Sequence, residues 1–465
     1  MVGIVAVSVL VLGLVAVATR VLGGDSGPDH PQQWDARALP IANFVQDERG
    51  LLFDHPVHVD FLSPADYTAS ATDDEASVTE DDREDLERYA AELRAMGVGS
   101  GEIDLFTAYN QVSDAGTLAF YDPTTERITV RGTEMTVGLE VTLAHEITHA
   151  LQDQHFDLEQ LRQETIDSSA AIVFRALAEG DATRVEEGYK TSELTAEEQA
   201  AYEEEYQGEI DASEEATADV PPFVSATFGA PYALGQPFAM MLANQGGNPA
   251  VDDAFVEPPT TEESIFDPAS FLANEGEEEL DLGFDEDQEL FDPGPFGATT
   301  WYLVLAERID PKVAFEAALG WNGDDYASFE RDGVTCVRTG FIGDEPSDED
   351  EMKAAIDLWV AAMPGGQASS REIDGHPGLE ACDPGEDVDM KLTGRSDTSL
   401  YLPSLWGFLI ADAASELEAE GTRCYARRVL DGLTFEQITD PDGVALQGDA
   451  VQASLVEAFQ ACRDA

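Results

Sequence analysis

The chain has 465 residues, 24 of them basic and 95 acidic, for a formal net charge of −71. Such a field repels phosphate and excludes nucleic acid and anionic membrane surfaces as partners. A hydrophobic fraction of 43% is enough to build a core, so a chain disordered throughout is excluded as well.

Acidic tails come in blocks. Here the acidic residues interrupt well-patterned segments, and only four of the basic residues are lysines (Lys190, Lys312, Lys353, Lys391). That combination resembles the proteins of a salt-in halophile. In molar salt the Debye length shrinks to roughly 3 Å, which screens the self-repulsion such a surface would suffer in dilute buffer.

Val2 to Thr19 carry no charge, and the apolar run resumes past Arg20 to Leu22. About 20 helical residues cross a hydrocarbon core of roughly 30 Å, and no basic residue precedes the run as it would in a secretory signal. Residues 1–23 therefore read as a transmembrane anchor, the protein being secreted instead if they are cleaved. Arg20 alone would hold the body in the cytoplasm. The cysteines, Cys336, Cys382, Cys424 and Cys462, form an even set without a Cys-x-x-Cys pair, which suits two disulfides on an extracytoplasmic body. Nearest-neighbour pairing is the simplest of three connectivities. The outward orientation is the expectation adopted.

Residues 24–85 read as a linker and a small N-terminal module with an apolar run at 57–62. In 86–255 the pattern predicts a helix over 86–96, then a hairpin of strands 117–121 and 127–130 around Asp122-Pro123-Thr124-Thr125. Helices over 137–155 and 168–189 follow, then an acidic loop over 203–220 and a helix over 231–245 stopped by Gly246-Gly247. Residues 256–297 read as a connector with a proline-bounded loop (258–268) and a strongly acidic run. In that run Asp285, Asp287 and Glu289 resemble half a calcium loop, but Leu290 stands where the turn needs glycine. Residues 298–365 predict helices 298–309 and 311–319, strands 326–329 and 335–341, and a helix over 352–362 entered from Ser347. The cysteine-containing region 366–465 predicts helices over 399–420 and 449–462. The fold class expected is α+β, mainly helical, with a small sheet.

His145-Glu146-Ile147-Thr148-His149 places two histidines four apart on one helical face, close enough to bind one zinc ion. The glutamate between them leans toward the same ion and can take a proton from its water, whose pKa zinc lowers toward roughly 7. A third ligand is needed, and His155, Asp157, Glu164, Glu179 and Asp181 are candidates. His155 is too close on the same helix to wrap back. Glu179, amid alanines in Ala178-Glu179-Gly180-Asp181-Ala182, would lie beside the histidines on an antiparallel return helix. A buried carboxylate there needs a partner; the alternative to a metal is a salt bridge to Arg175 or Arg184.

This pattern resembles the gluzincins, the thermolysin-like zinc metallopeptidases whose ligands are two histidines and a glutamate. The longer run His145 to Phe156 (HEITHALQDQHF) with AEGDA at 178–182 is similar to a group of prokaryotic membrane-anchored or exported proteins, whose haloarchaeal members are described as surface proteins. The likeness extends over roughly residues 100–365. It implies zinc ligands His145, His149 and Glu179, Glu146 as general base, and Asp181 holding a histidine Nδ1–H. The His149 to Glu179 interval exceeds the thermolysin-like one, which an insertion at 160–167 accounts for, and AEGDA replaces the usual Asn-Glu-x-x-x-Asp. The hairpin before the motif is expected to offer an edge strand to a peptide. Tyr189 and Tyr232 are the candidate transition-state stabilisers. The function expected is a membrane-anchored, extracytoplasmic zinc metallopeptidase with a peptide or protein substrate. The alternatives are a non-enzymatic surface protein retaining the scaffold, and an acidic module that takes up cations.

Overall fold

Alternating side chains and a turn-forming Asp122-Pro123 close the expected hairpin in the computed structural model, which describes residues 28–463 except 116, 166–169, 286, 365 and 441–448. The hairpin belongs to a three-stranded sheet of β1 (His58–Leu62), β2 (Ala119–Asp122) and β3 (Arg127–Arg131), in the order β1-β3-β2. β1 runs parallel to β3 and β2 antiparallel to it, so β2 is an edge. Ile128 and Val130 on β3 point into a core shared with the helices Leu39–Arg49 and Val137–Phe156.

A second sheet is fully antiparallel: β4 (Leu290–Gly294), β5 (Trp321–Arg331), β6 (Val334–Gly343), β7 (Ala368–Ile373) and β8 (His376–Cys382), in the order β4-β5-β6-β8-β7. Helices make up most of the remaining described residues, so the protein is α+β and mainly helical. The larger apolar core runs from Ala90 to Cys462. It joins segments that the sequence assigns to the metallopeptidase-like core, the 298–365 unit and the C-terminal region, so these do not have separate cores.

The two disulfides are the nearest-neighbour pairs, Cys336–Cys382 and Cys424–Cys462. Cys336 and Cys382 are cross-strand partners on β6 and β8, with Cα atoms 3.9 Å apart.

Several sequence expectations are corrected. Residues 203–216 are not a loop but most of a helix, Ala196–Ala216, closed at its start by a capping box between Thr195 and Glu198. Glutamate is a good helix former, and Tyr202 stacks on Tyr206 along the inward face. The helix expected at 352–362 starts earlier, at Pro346, and its capping box uses Glu345 and Asp348 rather than Ser347. The long helix expected over 399–420 is broken into Tyr401–Ala413 and Ala419–Asp431. The helix Leu105–Ala115 and strands β7 and β8 carry no sequence expectation. Residues 1–27, with the apolar run, and residues 441–448, which precede the last helix, lie outside the described residues. Among the described residues no helix is long and apolar enough to cross a membrane.

Candidate metal centre

Thr136 caps the helix Val137–Phe156 by accepting a hydrogen bond from the Leu139 backbone N–H, and Asp157, in a left-handed conformation, ends it. From Val141 to Gln152 the helix is buried on every side, which is why its sequence is apolar around the polar motif residues. His145 and His149 lie one turn apart with ring centroids separated by 4.7 Å.

The helix Ala170–Ser192 packs against it and supplies Glu179. His145 Nε2 is 3.1 Å and His149 Nε2 3.3 Å from the same oxygen, Glu179 Oε2. The three donors converge on one point and form a group able to hold a metal ion. Zinc–ligand distances of 2.0–2.2 Å imply tetrahedral edges of about 3.4 Å, so these separations suit the ion with little movement. His149 Nε2 and Glu146 Oε1 are buried without a hydrogen-bond partner among the described residues. Two imidazoles, a carboxylate and orphaned polar atoms at their centre make a donor set able to hold a divalent metal ion.

A positioning network surrounds the donors. His145 Nδ1 meets Glu186 Oε2 at 3.1 Å, and His149 Nδ1 meets Gln152 Oε1 at 2.9 Å. Gln152 Nε2 donates to Asp181 Oδ2 (3.0 Å) and to the Ala178 carbonyl (3.1 Å). Asp181 in turn accepts from Arg49 at 2.8 Å and Arg184 at 2.9 Å. Asp181 therefore reaches His149 through Gln152 rather than holding a histidine N–H itself, a correction to the expected contact. Such outer partners fix ring orientation and raise ligand basicity.

Glycine gives the rest of AEGDA its reason. A Cβ on Gly180 would lie 2.0 Å from the Gly235 carbonyl oxygen, and one on Gly235 would lie 2.0 Å from the Ala176 carbonyl oxygen. Two backbones touch there because neither residue has a side chain. The helix Pro222–Gly246 is thereby held against Ala170–Ser192 and brings Tyr232 beside Glu179 and Arg175. The Arg175 guanidinium lies over the Phe228 and Tyr232 rings, 5.3 and 5.8 Å from their centroids. Its Nε and Nη2 are buried without partners among the described residues.

Glu146 projects to the β2 edge, where the Tyr121 backbone N–H donates to its Oε2 at 2.8 Å. Burial pushes the Glu146 carboxyl up to about 8, with His145 only partly opposing it. Burial would also raise Glu179, but His149 and His145 outweigh it and hold that carboxyl at about 2. His145 moves the other way: burial disfavours its charge, yet Glu179 and Glu186 raise it to about 10. Burial lowers His149. The cluster thus holds an anionic ligand beside a proton on His145 that a dication would displace, since metal binding releases protons from its ligands.

The remaining candidates lie elsewhere. His155 Nε2 meets the Leu52 carbonyl at 2.9 Å, Asp157 accepts from the Gln160 N–H at 3.0 Å, and Glu164 accepts from the Gln160 side chain at 2.7 Å. Tyr189 packs edge-on to Phe44 at 5.2 Å, in the core with the first sheet. Glu186 and Gln152 escape sequence reading as site residues, and Arg175 enters it only as a salt-bridge alternative for Glu179. The signal for two of them is spacing: Glu186 is seven residues, two helical turns, beyond Glu179, and Arg175 is one turn before it. No protein-family model, curated protein or solved structure matches this chain.

Proposed function

We propose that the chain is a zinc-dependent metallopeptidase of a halophile with a gluzincin-like core, membrane-anchored through residues 1–23 and facing outward. The reading rests chiefly on one observation. Two imidazole nitrogens from one helix meet a single oxygen of Glu179 at 3.1 and 3.3 Å, with Glu146 buried beside them. Zinc bound there supplies Lewis acidity, polarising a carbonyl and acidifying a water. Glu146, buried beside the donors and held by the Tyr121 N–H, would take and return the proton. Tyr232 and Arg175 offer donors to a developing oxyanion. The β2 edge, buried from Ala119 to Tyr121, would take an extended peptide once the surrounding helices part. The disulfides support an oxidising, extracytoplasmic location.

A second reading, a non-enzymatic surface protein that retains the metal scaffold, draws on a specific observation of its own. His145, Glu146, His149 and Glu179 are all 0% exposed, so a substrate reaches them only if the surrounding helices part. One experiment separates the two. Full-length protein is purified in molar KCl, and zinc content and hydrolysis of unfolded protein substrates are measured. Glu146→Gln is expected to keep zinc at this centre and lose turnover by roughly 100-fold or more, whereas His149→Ala and Glu179→Ala lose the metal. Zinc without turnover in the wild type favours the scaffold. Full occupancy in Glu179→Ala removes that residue as a ligand.

A further inference from the structure

Three of the chain's seven histidines lie in the stretch from His30 to His58, far from the HExxH motif in sequence. Two of them meet a single carboxylate. His30 Nδ1 is 3.5 Å and His55 Nε2 is 3.4 Å from the same atom, Glu126 Oε2. The two imidazoles stack with centroids 3.6 Å apart and an interplanar angle of 27°. We propose that His30, His55 and Glu126 form a second site for a divalent metal ion of the zinc class, separate from the HExxH centre.

Three features beyond proximity carry this. First, the separations are those of loose ion pairs, longer than the common N···O hydrogen-bond range of about 2.7 to 3.2 Å, and they match the tetrahedral edge of about 3.4 Å that zinc ligands define. Second, His30 Nδ1 and Glu126 Oε2 are buried atoms without a hydrogen-bond partner among the described residues, although their residues are only half-buried. Polar atoms left so cost stability unless something else answers them. Third, Glu126 sits at φ 52°, in the left-handed region, at the hairpin position where glycine or asparagine is the usual occupant. A residue with a long carboxylate side chain held in that conformation points to a task for the side chain.

The supports are those of a ligand set. His55 Nδ1 faces the Pro56 carbonyl oxygen at 3.3 Å and Gln154 Nε2 at 3.4 Å, contacts that turn Nε2 toward Glu126. Gln154, on the motif helix, accepts from the Asp54 N–H at 2.8 Å and donates to the His55 carbonyl at 3.0 Å, fixing the loop that carries His55. The partial exposure of all three ligands leaves room for water at a fourth position. An ion there would tie the segment just after the N-terminal apolar run to the β2–β3 turn. The strand before that turn is the one whose Tyr121 holds Glu146 through its N–H and Asp153 through its hydroxyl at 2.7 Å.

The test is zinc stoichiometry of tag-free full-length protein in molar KCl, by elemental mass spectrometry after dialysis against a weak chelator. Wild type is compared with His30→Ala/His55→Ala and with His145→Ala/His149→Ala, and circular dichroism verifies folding of each. The wild type is expected to hold two zinc ions and each double variant one. Glu126→Gln, which keeps shape and hydrogen bonding, should weaken the second site by roughly 10-fold or more. A wild type with one ion, lost on changing His30 and His55 but kept without His145 and His149, upholds this site and defeats the HExxH reading. Zinc content unchanged between wild type and His30→Ala/His55→Ala overturns the second site and leaves the first untouched.

Discussion

The helix pair around the HExxH centre and the five-stranded sheet both bury carboxylates against arginines, but they finish the job differently. Around the centre, both members of the pair are inside: Arg49 is 1% exposed and Asp181 0%, with Gln152 and His149 continuing the chain of contacts inward. On the sheet, Glu380 is 3% exposed but its partners Arg331, Arg338 and Arg371 are 44%, 20% and 49% exposed and reach it from solvent. A covalent link, Cys336–Cys382, sits on the same two strands. A charge whose partner is equally buried has no water to fall back on when that partner is lost, whereas guanidinium groups at a surface do. The site half should therefore be brittle to single changes and the sheet half tolerant.

The largest effect is expected from Asp181→Ala, which leaves Arg49 with Asp252 alone, at 2.7 Å, and strips Gln152 of its anchor. Denaturant unfolding at 2 M KCl should show a loss of about 3 kcal/mol. Zinc affinity at the centre should fall by roughly 10-fold or more, because Gln152 no longer orients His149. A loss below about 1 kcal/mol would mean that the buried pair contributes no more than a surface one. Next comes the covalent staple. Replacing Cys336 and Cys382 by alanine frees a link spanning 46 residues, and about 2–4 kcal/mol of stability should go with it. Zinc content should not change, which separates a sheet effect from a site effect.

The smallest effect concerns acid. Burial would raise Glu380, but Arg331 and Arg338 hold it at about 2, below its ordinary 4.5. A depressed carboxyl adds stability above the unfolded value and loses it as pH falls toward the folded one, so this contribution disappears between about 4.5 and 2. Glu380→Gln should cost about 1–2 kcal/mol at pH 7, discounted for the exposure of the arginines, and should flatten the acid limb of a stability–pH profile in that window. An unchanged acid limb would show that the sheet's charges are as dispensable as ordinary surface pairs.

Legibility in the sequence followed range. The motif helix, the hairpin before it, the helix Pro311–Leu319 and the helix Asp449–Cys462 were readable because each is set by its own periodicity and turn residues. The helix Ala196–Ala216 was not, because acidity suggests a solvated loop in most proteins, whereas here it coats folded helices as well. Strands β7 and β8 were hidden for another reason: β7 is a mostly exposed edge with little apolar content, paired only through β8.

At the site the same division holds. The i,i+4 spacing of His145 and His149 is a local fact of helix geometry, so the sequence by itself determined the two imidazoles and the glutamate between them. The third donor, 30 positions on, depends on where a second helix lies. The close approach at Gly180 and Gly235, the buried Arg49–Asp181 pair and the Glu186 contact to His145 decide that placement. Tyr232 reaches Glu179 only because those glycines let two backbones touch. Local hydrogen bonding and periodicity are written in neighbouring residues, while convergence of distant side chains is set by packing, and only the tertiary structure decided it.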